Sequence, residues 1–205
     1  MIGLYAVALG RSGAGEVRAL PCGELTLLIG DPPPPPSAEA LRAHEALVRR
    51  IAESADPCLP ARFGAAAESE EALLRELAPR VPELLEALEL VRGREQMTLR
   101  VHGSRRPETL PRKGRRGARY LEEKRRTLRI SELDPLRVAL LGIQRSERVE
   151  RHDAPELLAS VYHLIDRGTA PEYRAAVERT PIEGLQLTVT GPWPAWSFAP
   201  EMIAR

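Results

Sequence analysis

The chain is 205 residues long, and because domains commonly run to about 100–150 residues it holds either one large domain or two small ones. Hydrophobic residues make up 43% and charged residues 29%, which excludes a chain too polar to bury a core. The formal net charge of +1 excludes a whole-molecule field that would draw in nucleic acid or an anionic membrane, so any such attraction has to be local.

Residues 1–9 are apolar, lack a basic leader and meet Gly10 and Arg11 well short of a membrane span, so a first strand is expected there, not a signal peptide. Short apolar runs at 17–20 and 25–29, separated by a glycine-containing turn, predict two further strands of a small antiparallel sheet. Five prolines at 32–36 cannot supply ladder donors and favour an extended connector. Ser37 then caps a helix on which Leu41, His44, Val48, Ile51 and Ala55 recur on one face. Asp56 and Pro57 stop it. The proline-rich stretch 58–64 suits an edge strand better than a central one. A second helix opens at Ser69 with Glu70 and Glu71, and Pro79 and Pro82 predict a kink or two abutting helices that end at Gly93.

Alternation of Met97, Leu99 and Val101 with Gln96, Thr98 and Arg100 predicts a half-buried strand that starts a second sheet. From Arg100 to Arg129 the chain carries twelve Lys or Arg against Glu108, Glu122 and Glu123, first as a loop and then, from Tyr120 and Leu121, as a helix. A helical pattern is expected at 133–149, broken at Asp134 and Pro135, followed by a strand at 157–165, a helix at 171–179 and a strand at 185–190. Strand, helices, strand, helix, strand suits an α+β domain with helices on one sheet face. Two domains are therefore expected, an N-terminal α+β domain over 1–92 and a C-terminal α+β domain over 93–205.

Aromatic residues are scarce, at 4%, so the cores must be filled mainly by Leu, Val, Ile and Ala and a cluster of rings is informative. Such a cluster follows the last strand: Gly191-Pro192-Trp193-Pro194-Ala195-Trp196-Ser197-Phe198. Its prolines stiffen the backbone, which leaves little conformational entropy to lose on binding. Either the rings are displayed to a partner, or Trp193 and Phe198 fold back and plug an aromatic-poor core.

This segment resembles the C-terminal Gly-Pro-Trp-Pro-aromatic signature of the GvpL/GvpF gas vesicle proteins. Gly3-Leu4-Tyr5-Ala6-Val7 is similar to that family's opening strand, His44 with Glu45 to its helix histidine, Pro60-Ala61-Arg62-Phe63-Gly64 to its Pro-x-Arg-Phe-Gly segment, and Tyr120-Leu121 to its Tyr-Leu before a basic helix. Five segments occur in family order across almost the whole chain. The departures are the prolines at 32–36, the Pro79 and Pro82 pair, a short stretch between Tyr120 and Leu157, and Trp196 in place of the more usual Tyr.

The resemblance implies two α+β domains, the second a modified ferredoxin-like fold. It also implies a cytoplasmic assembly factor or minor component of the gas vesicle that contacts the small hydrophobic shell protein GvpA and other accessory proteins. Partner contact is expected from Trp193, Trp196 and Phe198 with Pro192 and Pro194, and secondarily from Arg62 and Phe63. Arg62 could equally stack on Phe63 or, as favoured here, pair with a helix carboxylate.

Neither membrane insertion nor a cofactor is expected. His44, on an apolar helix face without a recognisable partner motif, reads as a hydrogen-bonded core histidine and not a general base. His102, His152 and His163 lack metal-ligand spacing, and Cys22 and Cys58 are too few for a disulfide framework. No phosphate loop, Gly-x-Ser-x-Gly elbow or His-Glu-x-x-His occurs, which argues against common hydrolases and nucleotide enzymes. The rival reading is a nucleic-acid-binding regulator acting through the basic segment 105–129. Only Tyr120 supplies a ring there, so the stacking used for single strands is missing and a solvated loop and helix face is expected instead.

Overall fold

A computed structural model of the chain describes residues 1–10, 17–103, 130–152, 154 and 156–203. The chain forms two compact units, one of Met1–Gln96 together with the segment that begins at Trp193, the other of Met97–Pro192. The architecture is α+β, as expected. The expected boundary between 92 and 93 left the C-terminus with the second domain; the structure joins that last segment to the first unit.

The first unit is built on a sheet of β1 (Ile2–Leu9), β2 (Arg18–Cys22), β3 (Leu25–Gly30), β4 (Cys58–Pro60) and β5 (Ala66–Ala67). The strand order is β2-β3-β1-β4, with β5 also paired to β1. The β1–β3 pair is antiparallel, with Leu4 opposite Ile29 and Val7 opposite Leu27, and a bulge between Leu4 and Ala6. In β3 all of Leu25–Ile29 are buried. A run buried at every position, with Thr26 its one polar residue and that hydroxyl bonded to the Gly10 carbonyl, has both faces covered, unlike the alternating strand of a half-solvated sheet.

Helix α1 (Ala38–Ser54) packs against β1 and β4. Its N-cap is Ser37, whose Oγ accepts from the Ala40 amide at 3.0 Å, a device whose loss costs about 1 kcal/mol. Its buried residues are His44, Leu47, Val48 and Ile51. Leu41, expected on that face, is 49% exposed, so the packed stripe begins one turn later, at His44. Helix α2 (Glu70–Leu77) gives way to a 3-10 turn at Ala78–Arg80 and then α3 (Val81–Val91). Pro79 and Pro82 lie in the first positions of the turn and of α3, where the missing N–H is harmless, so two proline-headed pieces abut as expected.

The second unit holds β6 (Arg94–Gly103), α4 (Asp134–Ala139), β7 (Gln144–Arg151), β8 (Leu157–Asp166), α5 (Ala170–Glu178) and β9 (Leu185–Trp193). Its sheet runs β7-β8-β6-β9. That order, with a described helix between the first and second strands and another between the third and fourth, is compatible with the expected ferredoxin-like fold. Its core joins Met97, Leu99 and Val101 of β6 to Leu136 and Leu140, Ala159 and Val161, and Tyr173 and Val177.

One element differs in kind from expectation. Residues 144–149, expected to continue a helical stretch, belong instead to β7, antiparallel to β8 with Val149 opposite Val161. The sequence Gln-Arg-Ser-Glu-Arg-Val-Glu-Arg is too charged to announce a strand. It is tolerated because β7 is an edge, where charged side chains reach water and discourage further pairing. Among the described residues no helix is long and apolar enough to cross a membrane.

Candidate functional site

Four of the five recognised segments meet in the first unit. Strand β1 supplies Tyr5, α1 supplies His44, the stretch after β4 supplies Phe63 and the C-terminal segment supplies Trp196. The His44 ring lies 5.4 Å from Tyr5, 5.5 Å from Phe63 in an edge-on arrangement, and 5.9 Å from Trp196, centroid to centroid. Ring pairs at these spacings contribute about 0.5–1.5 kcal/mol each beyond the area they bury. Tyr5 reaches past the cluster, its hydroxyl donating to the Asp31 carbonyl at 3.0 Å.

His44 is 8% exposed, and its Nε2 donates to the Ala61 carbonyl at 3.0 Å. That bond fixes the proton on Nε2 and leaves Nδ1 as a buried acceptor without a partner among the described residues. Burial lowers its pKa below the ordinary imidazole value, against the opposing effect of the Ala61 bond. The imidazole is therefore a neutral core group, as the sequence suggested.

The C-terminal segment divides its rings between two roles. Backbone bonds from Trp196 N to Pro194 O, Phe198 N to Ala195 O and Ala199 N to Ala195 O wind it into turns that carry Ala195, Phe198 and Ala199 inward. The Ser197 amide donates to Gln96 Oε1 at 2.8 Å. Phe198 is 1% exposed, so the contact surface expected of it is closed and it serves as the core plug. Trp193 and Trp196 stay half-buried, Pro192 is exposed and Pro194 half-buried. The guanidinium of Arg49 sits over the Trp193 ring, 4.9 Å from its centroid, a cation–π contact contributing about 0.5–1 kcal/mol at an exposed position. Sequence reading missed Arg49, because a cation that covers a ring so far along the chain leaves no local pattern.

Arg62 is exposed, Phe63 half-buried. The favoured pairing of Arg62 with a helix carboxylate does not form: its side chain has no ion pair among the described residues. Instead Arg62, Phe63 and the turn at Gly64 line one wall of a cleft of about 280 Å³, opposite Pro200, Glu201, Met202 and Ile203. Arg80 holds the second wall in place by donating from Nη1 to the carbonyls of Glu201 at 2.5 Å and Met202 at 3.1 Å.

The second unit contains a polar chain that no motif announced. Tyr173 donates its hydroxyl proton to His163 Nδ1 at 2.7 Å, and His163 Nε2 donates to Glu147 Oε2 at 3.1 Å. Arg137 grips Glu147 through Nε and Nη2 at 3.1 to 3.2 Å and reaches Asp134 at 2.7 Å. Burial pushes the Glu147 carboxyl up, but the hydrogen bonds from His163 and Arg137 and the guanidinium charge reverse this and bring it to about 2. Burial, and then the Glu147 charge, push the Tyr173 hydroxyl well above its usual value. A hydroxyl, an imidazole and a carboxylate in a row invite comparison with a nucleophilic triad. Tyr173 is 0% and His163 1% exposed, so the hydroxyl cannot meet a substrate, and the chain fastens β7, β8, α4 and α5 together.

Among the described residues no group of three or more His, Cys, Asp or Glu could hold a metal, and Cys22 and Cys58 are buried thiols that form no disulfide with each other. The basic segment 105–129 and the Tyr120-Leu121 pair lie outside the described residues.

Residues 4–200 match the family described as "Gas vesicle synthesis protein GvpL/GvpF". No curated protein matches. Among solved structures, the chain is similar to the gas vesicle protein GvpF from Anabaena sp. PCC7120, with a TM-score of 0.70 and 14% identity over 100% of this chain and 97% of that one. It is also similar to gas vesicle protein GvpF from Microcystis aeruginosa, with a TM-score of 0.73 and 14% identity over 97% and 98% of the two chains.

Proposed function

From the premise that the chain belongs to the gas vesicle synthesis protein GvpL/GvpF family, we propose that its role at the gas vesicle is adhesive. It holds the small hydrophobic shell protein GvpA, and other accessory proteins, during assembly in the cytoplasm, without making or breaking bonds. The observation that carries this reading is the half-exposed pair Trp193 and Trp196. One ring is pinned under Arg49 and the other braced on His44, while Phe198 anchors the segment from below. Rings already immobilised lose little entropy on binding, and aromatic residues with arginine are the side chains that dominate protein interfaces. Shell strands expose apolar edges until they assemble, and rings or an open sheet edge can cover such surfaces.

The test is capture of purified shell protein by the immobilised chain. The wild type is expected to retain it, and the Trp193→Ala, Trp196→Ala double variant to retain at least tenfold less at an unchanged level of folded protein. Absence of enrichment over an unrelated protein of similar hydropathy overturns the proposal.

A further inference from the structure

The outer strands of the two sheets are guarded unequally. In the first unit β2 carries Arg18 and Pro21, and the three-residue β4 ends in Pro60. In the second unit one outer strand is β7, which carries Arg145, Glu147, Arg148, Glu150 and Arg151. Charge and proline on an outer strand discourage another strand from adding to it. The remaining outer strand, β9, has neither over Leu185–Thr190. That run, Leu-Gln-Leu-Thr-Val-Thr, alternates apolar with uncharged polar side chains and includes the β-branched residues that favour strands.

Burial singles out the same strand. The core-facing row of β6, Met97, Leu99 and Val101, is 0% exposed, whereas the row of β9 that packs on the same core, Leu185, Leu187 and Val189, stays half-buried. Among the described residues no strand lies beyond β9, so none covers the outer flank of this row or pairs with the outward N–H and C=O groups. Gln186 and Thr188, on the opposite face, are exposed.

We infer that β9 is a self-association edge, which pairs antiparallel with β9 of a second copy of the chain and makes one continuous sheet of two second units. The pattern of β9 selects this occupant, because the strand is its own complement. Directly opposite residues of an antiparallel pair share a face, so the pair centres on Leu187 or on Thr188. Either register sets the apolar row of one copy beside that of the other and the polar row beside the polar row, with no charge opposed. No other described outer strand offers an uncharged, proline-free alternating run to match it. The contact is isologous and closes as a two-fold pair. An edge this short is small beside the roughly 1,200–2,000 Å² that holds stable complexes, so the pair forms and dissociates with concentration. The inference goes beyond the adhesive reading and does not depend on it.

The experiment measures the mass of the full chain by sedimentation equilibrium from micromolar to submillimolar concentration. The wild type is expected to rise from one chain mass towards two. The Gln186→Lys, Thr188→Lys double variant opposes like charges in both registers, Gln186 facing Thr188 in one and Thr188 facing itself in the other. It should associate about tenfold or more weakly. The Gln186→Glu, Thr188→Glu variant should do the same, and an equimolar mixture of the two should recover the doubled mass, since each Lys then meets a Glu. Both positions are exposed, and melting temperatures of dilute samples check that each variant is folded. A wild type that stays at one chain mass throughout, Lys and Glu variants that associate as the wild type does, or a mixture no heavier than its separate components each overturn the inference.

Discussion

His44 and Trp196, far apart in the chain, lie with ring centroids 5.9 Å apart, so the helix histidine and the C-terminal tryptophan form one structural feature. Replacing His44 by Ala removes a buried ring and the bond to Ala61, and is expected to destabilise the chain by about 2–4 kcal/mol. Urea denaturation followed by tryptophan fluorescence measures this, and a loss under about 1 kcal/mol would show that the cluster does not hold the segment.

The same residue sets a pH dependence. Its folded pKa is lowered by burial, so the unfolded chain takes up the proton first as pH falls. The stability contribution is complete above the ordinary imidazole value, about 6.5, and drains as pH falls through that value towards the lower folded one. Comparing urea midpoints at about pH 7.5 and about pH 5.5, His44→Phe should show a shallower loss than the wild type. Parallel slopes would contradict the burial argument.

Glu147 makes a separate prediction in a more acidic window. With its folded pKa brought to about 2 from 4.5, its ionised form contributes on the order of 3 kcal/mol. This is fully present above about 4.5 and lost as pH falls through about 2. Glu147→Gln leaves Arg137 short of its partner and should destabilise by a similar amount near neutral pH. The variant should also flatten the acid limb of the stability profile, read by circular dichroism against pH.

Phe198 and Trp193 should separate cleanly. Phe198→Ala opens a cavity in the first unit and is expected to lose about 3–5 kcal/mol. Trp193→Ala, at a half-buried position under Arg49, should lose about 1 kcal/mol of stability while weakening shell-protein capture. Denaturation midpoints and capture, measured on both variants, test the division; comparable stability losses would merge the two roles.

Gly3 offers a steric test. A Cβ there would lie 2.6 Å from the Asp31 carbonyl oxygen, the same oxygen that accepts from Tyr5. Gly3→Ala should destabilise by about 1–3 kcal/mol, with the midpoint of thermal unfolding as the readout.

Much of the fold was legible because it is local. Ser37 and Ser69 cap the helices they announce, Pro79 and Pro82 break the helical run where their missing donors require, and alternation in 96–101 and 185–190 marks β6 and β9. Strand β7 was not legible, since a charged edge strand and a solvated helix have the same composition. The bonding of Tyr173 to His163 and of His163 to Glu147 crosses strands and helices and leaves no spacing to find.

The sequence by itself determined the family, the α+β class and the histidine's buried character, because motif order, periodicity and helix-face polarity are properties of neighbouring residues. Only the tertiary structure decided which ring of the C-terminal segment is plug and which is surface, and that this segment joins the first unit. Burial is settled by what lies on the far side of a side chain, and for Phe198, Trp193 and Arg62 that is chain from distant parts of the sequence.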